Sequence, residues 1–243
     1  MTGTRLHGRV AIVTGGASGF GKAISTRFSQ EGCKVLIGDL NESGAKELAT
    51  TLSSSSSDIL SQSMDVTNEA HWKSAIEICV QKWGRVDIVV NNAGTTYRNK
   101  STLEVTEKEF DLVFNVNVKS IYLSVVATVP QMKKNGGGSI INISSTGSLR
   151  PRPGLATKGL AAEYGADNIR VNAIAPLLSG TGLFSSFVGV EDTPENRANF
   201  VSNVPLGRLT DPMDVANTAL FLASDEGSFI NGVNLEVDGG KCV

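Results

Sequence analysis

Short apolar segments rich in β-branched residues alternate with segments of helical periodicity along the 243-residue chain. Strands that are apolar on both faces indicate a parallel sheet covered by helices on each side and joined by right-handed crossovers. No linker, repeat or charge block interrupts the alternation, so the sequence predicts one doubly wound α/β domain over residues 1–243. The predicted strands lie at 9–15, 34–39, 60–66, 86–94, 138–145 and 169–176.

Charge and composition argue against several classes of protein. The formal net charge is −2 without a basic run, which argues against a nucleic-acid partner. No apolar run approaches the roughly 20 residues that cross a bilayer, and no secretory leader is evident, so no membrane partner is expected. The three cysteines and two histidines show no metal-ligand spacing. We expect a cytoplasmic protein with reduced thiols and no metal site.

A glycine-rich turn, TGGASGFGKA at 14–23, follows the first predicted strand and precedes a helix. Such turns bind phosphate through backbone N–H groups at the helix N-terminus. One spacing of the glycines, G-x-x-x-x-G-K, begins a P-loop. A P-loop also needs Ser or Thr directly after the lysine, because that hydroxyl holds Mg²⁺, and Ala23 stands there instead. A P-loop nucleotidase is therefore only a minor alternative.

A second spacing, made by Gly15, Gly19 and Gly21, is that of a dinucleotide-binding turn. Its glycines permit a tight turn, a close approach to pyrophosphate, and packing of the helix on the strand. About 20 residues further on, Asp39 ends the second predicted strand. A carboxylate at that point accepts hydrogen bonds from the adenosine ribose and repels a 2′-phosphate. The sequence therefore predicts a Rossmann-type domain that binds NAD(H) rather than NADP(H).

Several ordered motifs together resemble the short-chain dehydrogenase/reductase family over essentially the whole chain. The resemblance implies hydride transfer at the nicotinamide, coupled to proton transfer at the oxygen of a small alcohol or ketone substrate. It also implies a homo-oligomer, a dimer or tetramer, assembled through the long helix predicted at about 106–134 and the helix of the following crossover. The motifs are TGGASGFG, MDVT, NNAG, NVNVKS, GSIINISS, IRVNAIAP and GVNLEVDGG.

The resemblance also implies roles for individual residues. Ser145 matches the catalytic serine that polarises the substrate oxygen, and Asn117 matches the helix asparagine that holds a water in the proton relay. Lys158 is a candidate ribose contact, which completes the catalytic set of Ser145, Asn117 and Lys158. The predicted cofactor-binding residues are Gly15, Ser18, Gly19, Phe20, Gly21, Asp39, Asp65, Val66, Asn92, Ala93, Gly94, Pro176 and Thr181.

The family's catalytic tyrosine is not found in this chain. A tyrosinate is the usual acid/base, and a lysine four residues later on the same helix face lowers its pKa, which gives the signature Y-x-x-x-K. No Y-x-x-x-K occurs, and the residue 13 positions after Ser145 is Lys158. Only 18 residues separate Ser145 from Glu163, about a dozen fewer, or roughly three helical turns, than the family pattern places there.

Two explanations of the shortened segment stay open. Either the chain is an internally deleted variant, or the natural protein contains residues that this sequence lacks. The remaining residues, about 155–166, suffice for a short helical crossover, so the sheet is expected to survive. The sequence thus predicts an NAD(H)-dependent oxidoreductase interconverting a secondary alcohol and a ketone, impaired if the deletion is real. The alternative is a catalytically silent NAD-binding subunit or scaffold, and a real deletion also puts oligomerisation at risk.

The segment 182–200 occupies the family's substrate-loop position. Leu183, Phe184 and Phe187 in this segment are candidates for an apolar lid, and packing of short helices accounts for them equally well. Leu177 stands after Pro176 where the family often has glycine, which is expected to reshape the loop beneath the nicotinamide. Nothing in these residues indicates the substrate's identity or the direction of the reaction.

Overall fold

The computed structural model describes residues 4–53, 58–146, 154–180 and 184–243, together with the backbone but not the side chains of 154–156. Within these residues seven parallel strands form one sheet. The strands are β1 (Val10–Thr14), β2 (Lys34–Asp39), β3 (Ile59–Ser63), β4 (Ile88–Asn91), β5 (Gly138–Ile143), β6 (Ile169–Pro176) and β7 (Asn234–Val237). Their spatial order is β3-β2-β1-β4-β5-β6-β7.

Helices cover both faces of this sheet. A π-helical turn, Asn115–Lys119, joins two of them into one longer rod. The helices are α1 (Gly19–Gln30), α2 (Glu42–Ser53), α3 (Glu69–Trp83), α4 (Glu107–Phe114), α5 (Ser120–Lys134), α6 (Gly154–Tyr164), α7 (Phe184–Val188), α8 (Pro194–Val201) and α9 (Pro212–Ala223).

The core has two halves because successive strand residues point to opposite faces of the sheet. Val13 of β1 belongs to one half with Phe28 of α1 and Leu220 of α9. Its neighbour Ile12 belongs to the other half with Trp72 of α3, on the side that α5 and α6 also cover. All five residues of β1 are buried, which is the pattern of a central parallel strand. The predicted doubly wound α/β fold is therefore confirmed.

The structure differs from the predicted elements in several places. β7 and α9 were not predicted, although the GVNLEVDGG motif that contains β7 was noted. The long helix predicted at 106–134 is interrupted by the π-helical turn, which holds Asn117. The crossover helix α6 ends at Tyr164, and 165–167 form a 3₁₀ turn. Despite the short crossover, β5 and β6 pair over six residues, from Gly138↔Ile169 to Ile143↔Ile174.

The combined helix Glu107–Lys134 is, among the described residues, the one helix long and apolar enough to cross a bilayer. No apolar segment of that length was expected from the sequence. Length and composition alone are weak evidence of a membrane span, because a helix that packs on a sheet meets the same criteria. Leu123, Val129 and Met132 of this helix are buried in the core beside β4 and β5. Packing on the sheet therefore explains the apolar character of that side.

Candidate cofactor and catalytic site

The predicted cofactor residues gather at the carboxyl edge of the sheet. After β3 at one edge the chain crosses to β4 on the other side of β1, so the direction of winding reverses between β1 and β4. In open α/β sheets such a reversal leaves a crevice outside the strand ends, and ligands bind there. Gly15 follows β1 and Asn92 follows β4, so both lie at this switch point.

Two side chains lock the ends of β1 and β4 together. The Asn92 side-chain amide donates to the carbonyl oxygens of Thr14 at 2.9 Å and Gly15 at 3.1 Å. In return, the Thr14 hydroxyl accepts from the backbone N–H groups of Asn92 at 3.0 Å and Ala93 at 3.1 Å, and donates to Val90 O at 3.2 Å. Thr14 was missing from the predicted site residues, although the T of the T-G turn was the signal for it. The interlock fixes the glycine-rich turn relative to the NNAG turn.

The glycines of the turn are required by geometry. Gly15 and Gly19 have φ angles of 59° and 50°, in the left-handed region that favours glycine. Gly21 is required for a different reason, since a Cβ there would collide with Gly15 O and lie 2.6 Å from Asn92 Nδ2. The missing side chain leaves room for close contact between helix α1 and the turn. The predicted three-glycine pattern thus corresponds to three distinct backbone constraints.

The first turn of α1 faces this crevice without a side-chain cap. Ser18, the N-cap residue, has an extended backbone and makes no capping hydrogen bond in the described residues. The first N–H groups of a helix lack intrahelical partners, and the helix dipole favours an anion there. Phe20 packs partly buried against the core beneath. This N-terminus is therefore suited to hold a pyrophosphate.

Asp39 lies beside the glycine-rich turn at the end of β2. Its two carboxylate oxygens accept from Ala17 N and Asn41 N, both at 2.9 Å. Each carboxylate oxygen has a second lone pair, so these bonds leave acceptor capacity for ribose hydroxyls. The carboxylate thus stiffens the turn and presents negative charge at one end of the crevice.

Asp65 and Val66 form the next turn along this edge, after β3. The Asp65 carboxylate accepts from Thr67 N at 2.8 Å and from the Thr67 hydroxyl at 2.7 Å. Val66 is buried, and its carbonyl accepts from the indole N–H of Trp72 at 2.9 Å. These contacts set the turn at the same edge as Asp39, whose carbonyl accepts from Met64 N at 2.9 Å.

Asn117 closes the opposite side of the NNAG turn. Its side-chain amide donates to Thr95 O at 2.8 Å and its amide oxygen accepts from Thr95 N at 2.9 Å. A side chain on Gly94 would begin 3.6 Å from that oxygen, so Asn117 and Gly94 are near neighbours. Both polar atoms of the side chain therefore brace the backbone after β4. The π-helical turn aims them there, since it shifts the helix face by one residue.

Ser145 stands two residues beyond β5, half-buried at the same edge. A buried polar chain supports this strand end: Asn91 donates to Asn142 at 2.9 Å, and Asn142 donates to Thr157 of α6 at 3.3 Å. Pro176 ends β6 and is buried. Thr181 lies outside the described residues. Ser145 and Pro176 are thus brought to the carboxyl edge with the glycine-rich turn.

Lys158 is not brought to this edge. It is exposed on α6, and its Cγ lies 3.9 Å from where a side chain on Gly232 would begin. Gly232 N in turn donates to Val171 O at 3.0 Å. Val171 lies five residues before Pro176, or about 16 Å along the strand. The structure thus places Lys158 beside Gly232, and its role as a ribose contact stays a prediction.

The segment 182–200 is partly folded into α7 and α8. Phe184 is completely buried and meets Phe200 edge-to-face with a ring separation of 6.0 Å, and the Arg197 guanidinium lies over the Phe184 ring at 5.7 Å from its centre. Phe187 is 47% exposed. Leu183 lies outside the described residues. Packing of short helices thus accounts for Phe184, and Phe187 remains the lid candidate that the structure describes.

Comparison with known proteins agrees with this geometry. A family model described as enoyl-(acyl carrier protein) reductase matches residues 15–241. The chain is 47% identical to 4-formylbenzenesulfonate dehydrogenase TsaC1/TsaC2 of Comamonas testosteroni, over 97% of this chain and 98% of that protein. It is 39% identical to 2,5-dichloro-2,5-cyclohexadiene-1,4-diol dehydrogenase LinX of Sphingobium indicum, over 98% of each chain.

Solved structures agree as well. The 3-ketoacyl-(acyl-carrier-protein) reductase of Brucella melitensis, complexed with NADH, superposes with a TM-score of 0.90 at 37% identity, over 98% of this chain and all of that one. A short-chain dehydrogenase/reductase of Burkholderia xenovorans, described as putative, gives a TM-score of 0.90 at 30% identity, with 98% of each chain covered. The NADH complex supports the predicted cofactor. The chain belongs to the short-chain dehydrogenase/reductase family, whose members named here are dehydrogenases and reductases.

Proposed function

We propose that this chain is an NAD(H)-linked oxidoreductase of the secondary alcohol/ketone type. The observation that carries the proposal is the interlock of Thr14 and Asn92, which holds an open, glycine-lined cradle against the uncapped start of α1. A side chain at Gly21 would fill that cradle. Backbone N–H groups in such a cradle at a β1–β4 switch point suit a pyrophosphate.

Different residues of the site bind different parts of the cofactor. The glycine-rich turn binds the pyrophosphate, Asp39 accepts from the adenosine ribose, and the turn of Asp65 and Val66 lies beside the adenine. Asn92, Ala93 and Gly94 line the crevice, and Pro176 with Thr181 holds the carboxamide. When bound, the nicotinamide supplies the position that accepts or gives the hydride.

Proton transfer at the substrate oxygen is the step for which no acid/base residue is identified among the described residues. Ser145 orients the oxygen, but a partner acid/base is needed. Tyr164 is unsuited to that role, because its hydrogen bond to Glu163 raises its pKa, whereas a tyrosinate base needs a lowered one. It also lies at the C-terminal end of α6, the end that leads into β6. We infer that turnover by this chain is impaired, since Asn117 and Ser145 alone do not move the proton.

The lengths of the alignments support a shortening of this sequence relative to the family. The alignment with the Comamonas relative runs over 248 positions yet contains 97% of a 243-residue chain. The Sphingobium alignment runs over 251 positions with 98% of the chain. Each therefore contains about a dozen positions opposite which this chain has no residue, the number that the spacing of the motifs indicates. A catalytically silent NAD-binding subunit stays the second candidate on this observation.

Replacing Asp39 by asparagine tests the cofactor assignment. Asp39→Asn keeps a side chain of the same shape and one acceptor oxygen but removes the charge. We expect NAD⁺ affinity to fall about tenfold, the worth of a charge-assisted hydrogen bond, and the ratio of NADP⁺ to NAD⁺ affinity to rise at least about tenfold. Calorimetric titration with each cofactor measures both. An unchanged ratio contradicts the role of Asp39, and no NAD⁺ binding by the native chain contradicts the proposed function.

The relatives suggest which substrates to assay. Two of them are named for ring compounds, an aromatic aldehyde bearing a sulfonate and a cyclohexadiene diol. We propose a panel of benzylic and cyclic alcohols, with the corresponding aldehydes and ketones, for this chain. Cytoplasmic location and the limits of the domain and substrate loop stay predictions.

We further propose a homo-oligomer formed through α4 and α5. An apolar stripe on the outer face of this combined helix repeats every four residues and is about half exposed or more throughout. Contiguous exposed apolar surface of this kind marks an association site. The stripe consists of Phe110, Phe114, Val118, Tyr122 and Val126.

A charge in the middle of the stripe is expected to dissociate the oligomer. Tyr122, 64% exposed, would be at the contact, and Tyr122→Asp buries an unpaired carboxylate there. Lys134→Ala is the matched control, because it lowers the net charge by the same amount at the exposed end of α5. Light scattering is expected to give a dimer or tetramer for the native chain and the control, and a monomer for Tyr122→Asp. A native monomer contradicts this proposal.

A further inference from the structure

The turn that carries Asp65 and Val66 is held by two consecutive residues of α3. The backbone N–H of Asp65 donates to the imidazole Nδ1 of His71 at 2.9 Å. The indole N–H of Trp72 donates to Val66 O at 2.9 Å. The turn is thus held at two consecutive residues, once through a donor and once through an acceptor. Neither residue is part of the sequence-predicted site.

His71 is well placed for this contact by the start of its helix. Asn68 caps α3, with its side chain accepting from Ala70 N at 2.9 Å, so the first helical turn is ordered. The His71 carbonyl accepts from the Gln62 side chain of β3 at 3.4 Å. Trp72 is completely buried in the core beneath. The half-buried imidazole is therefore attached to an ordered helical turn that is anchored in the core.

The two supports differ in chemistry. An indole N–H donates at every physiological pH, whereas an imidazole nitrogen accepts only while it carries no proton. Protonation of His71 Nδ1 would set an N–H against the N–H of Asp65 and leave that backbone donor without its acceptor. The Asp65 carboxylate is oriented by the same turn, through its bonds to Thr67. Loss of the bond to His71 would therefore act on the turn that orients the group predicted to lie beside the adenine.

We propose that His71 is a positioning residue for the adenine end of the cofactor site and makes NAD(H) affinity sensitive to pH. This rests on the proposed binding of the adenine beside Asp65 and Val66. The neutral ring holds the turn, and the protonated ring releases it. The charged residues nearest His71 along α3 are Glu69 and Lys73, the residue that donates to its ring from the turn is Asp65, and the β3 residue that donates to its carbonyl, Gln62, is uncharged.

Calorimetric titration with NAD⁺ at about pH 8 and about pH 5.5 tests the proposal. For the native chain we expect affinity to fall about threefold to tenfold at the lower pH, the worth of one hydrogen bond. His71→Asn puts its Oδ1 where Nδ1 stands and does not titrate. This variant should bind NAD⁺ as tightly as the native chain does at the higher pH, and its affinity should change little at the lower pH. His71→Ala should bind about threefold to tenfold more weakly at both.

The other histidine provides the matched control. His7 packs against Gly32 at the amino edge of the sheet, far along the chain from the turn, and His7→Asn should keep the native pH dependence. If His71→Asn loses affinity at low pH as much as the native chain, the pH role of His71 is overturned. If His71→Ala binds NAD⁺ as tightly as the native chain at both pH values, the positioning role is overturned as well.

Hydrogen exchange without cofactor separates this inference from the proposed function. The Asp65 amide should exchange faster in His71→Ala than in the native chain at one pH, and at the native rate in His71→Asn. This result shows whether the Asp65–His71 hydrogen bond protects the turn, even if the native chain binds no NAD⁺. Absence of NAD⁺ binding would contradict the proposed function and, with it, the proposed effect of His71 on NAD⁺ affinity. Equal exchange in His71→Ala and the native chain overturns the inference whatever the cofactor does.

Discussion

A graft that restores the missing acid/base pair is expected to raise turnover by about 10²- to 10⁴-fold, the usual contribution of a positioned proton-transfer group. The graft inserts about a dozen residues, roughly three helical turns, between Leu155 and Ala156. It carries Y-x-x-x-K with the tyrosine at the family's spacing from Ser145, so that tyrosine and lysine share one helix face. NADH absorbance across the alcohol panel measures the rate, and calorimetry measures NAD⁺ binding in parallel.

The matched control is the same graft with phenylalanine in place of its tyrosine, which keeps the longer helix and removes only the phenol. It is expected to bind NAD⁺ as the full graft does and to turn over no faster than the native chain. A native chain that already reaches the rate of the graft contradicts the proposed impairment. A graft that binds NAD⁺ and turns over no compound in the panel contradicts the enzyme proposal and favours the silent subunit.

The second large effect is expected at Gly21. Gly21→Ala should weaken NAD⁺ binding at least about 100-fold and lower the free energy of unfolding by about 2–3 kcal/mol. Helix propensity by itself favours alanine by about 1 kcal/mol. The new methyl group, however, would collide with Gly15 O and lie 2.6 Å from Asn92 Nδ2. The carbonyl has little freedom to yield, because Asn92 donates to it at 3.1 Å, so the steric effect outweighs propensity.

Gly159→Ala is the matched control for this change. Gly159 is also helical, in α6, but a Cβ there would meet nothing within 4 Å. Its replacement should leave NAD⁺ affinity unchanged and leave stability equal or higher by about 0.4–1 kcal/mol. Urea unfolding and calorimetry measure the two quantities. If Gly21→Ala and Gly159→Ala have equal NAD⁺ affinity and equal stability, the cradle needs no open space at Gly21. That result would remove the main support for the cofactor assignment.

The fold was predictable because its information is local and repeated. Each buried strand is a short apolar run, and each run is followed by a helical pattern, so the parallel sheet follows from periodicity. β7 was missed because its residues are only partly buried at the edge of the sheet, where apolar patterning is weak. α9 was missed although Asp211 and Asp214 form a capping box at its start, a signal that the apolar pattern alone does not include.

The candidate site was predictable only where a motif specifies backbone geometry. The glycine spacing indicated the turn, and Asp39 indicated the cofactor, because both depend on short stretches of chain. Lys158 could not be placed by residue counting, since counting fixes distance along the chain but not the rotation and depth of a helix on the sheet. His71 was passed over because an isolated histidine has no ligand-like spacing, and its partner is a backbone N–H that no sequence pattern displays.

The sequence by itself therefore determined the doubly wound sheet, the glycine-rich turn and the absence of the tyrosine–lysine signature, and predicted NAD(H) as the cofactor, since each of these depends on residue order. Only the tertiary structure decided that Thr14 and Asn92 lock two strand ends, that the polar groups of Asn117 are directed at Thr95, and that His71 supports the Asp65 turn. Those contacts join residues from different elements. Their geometry depends on how helices pack on the sheet, which the order of residues does not display.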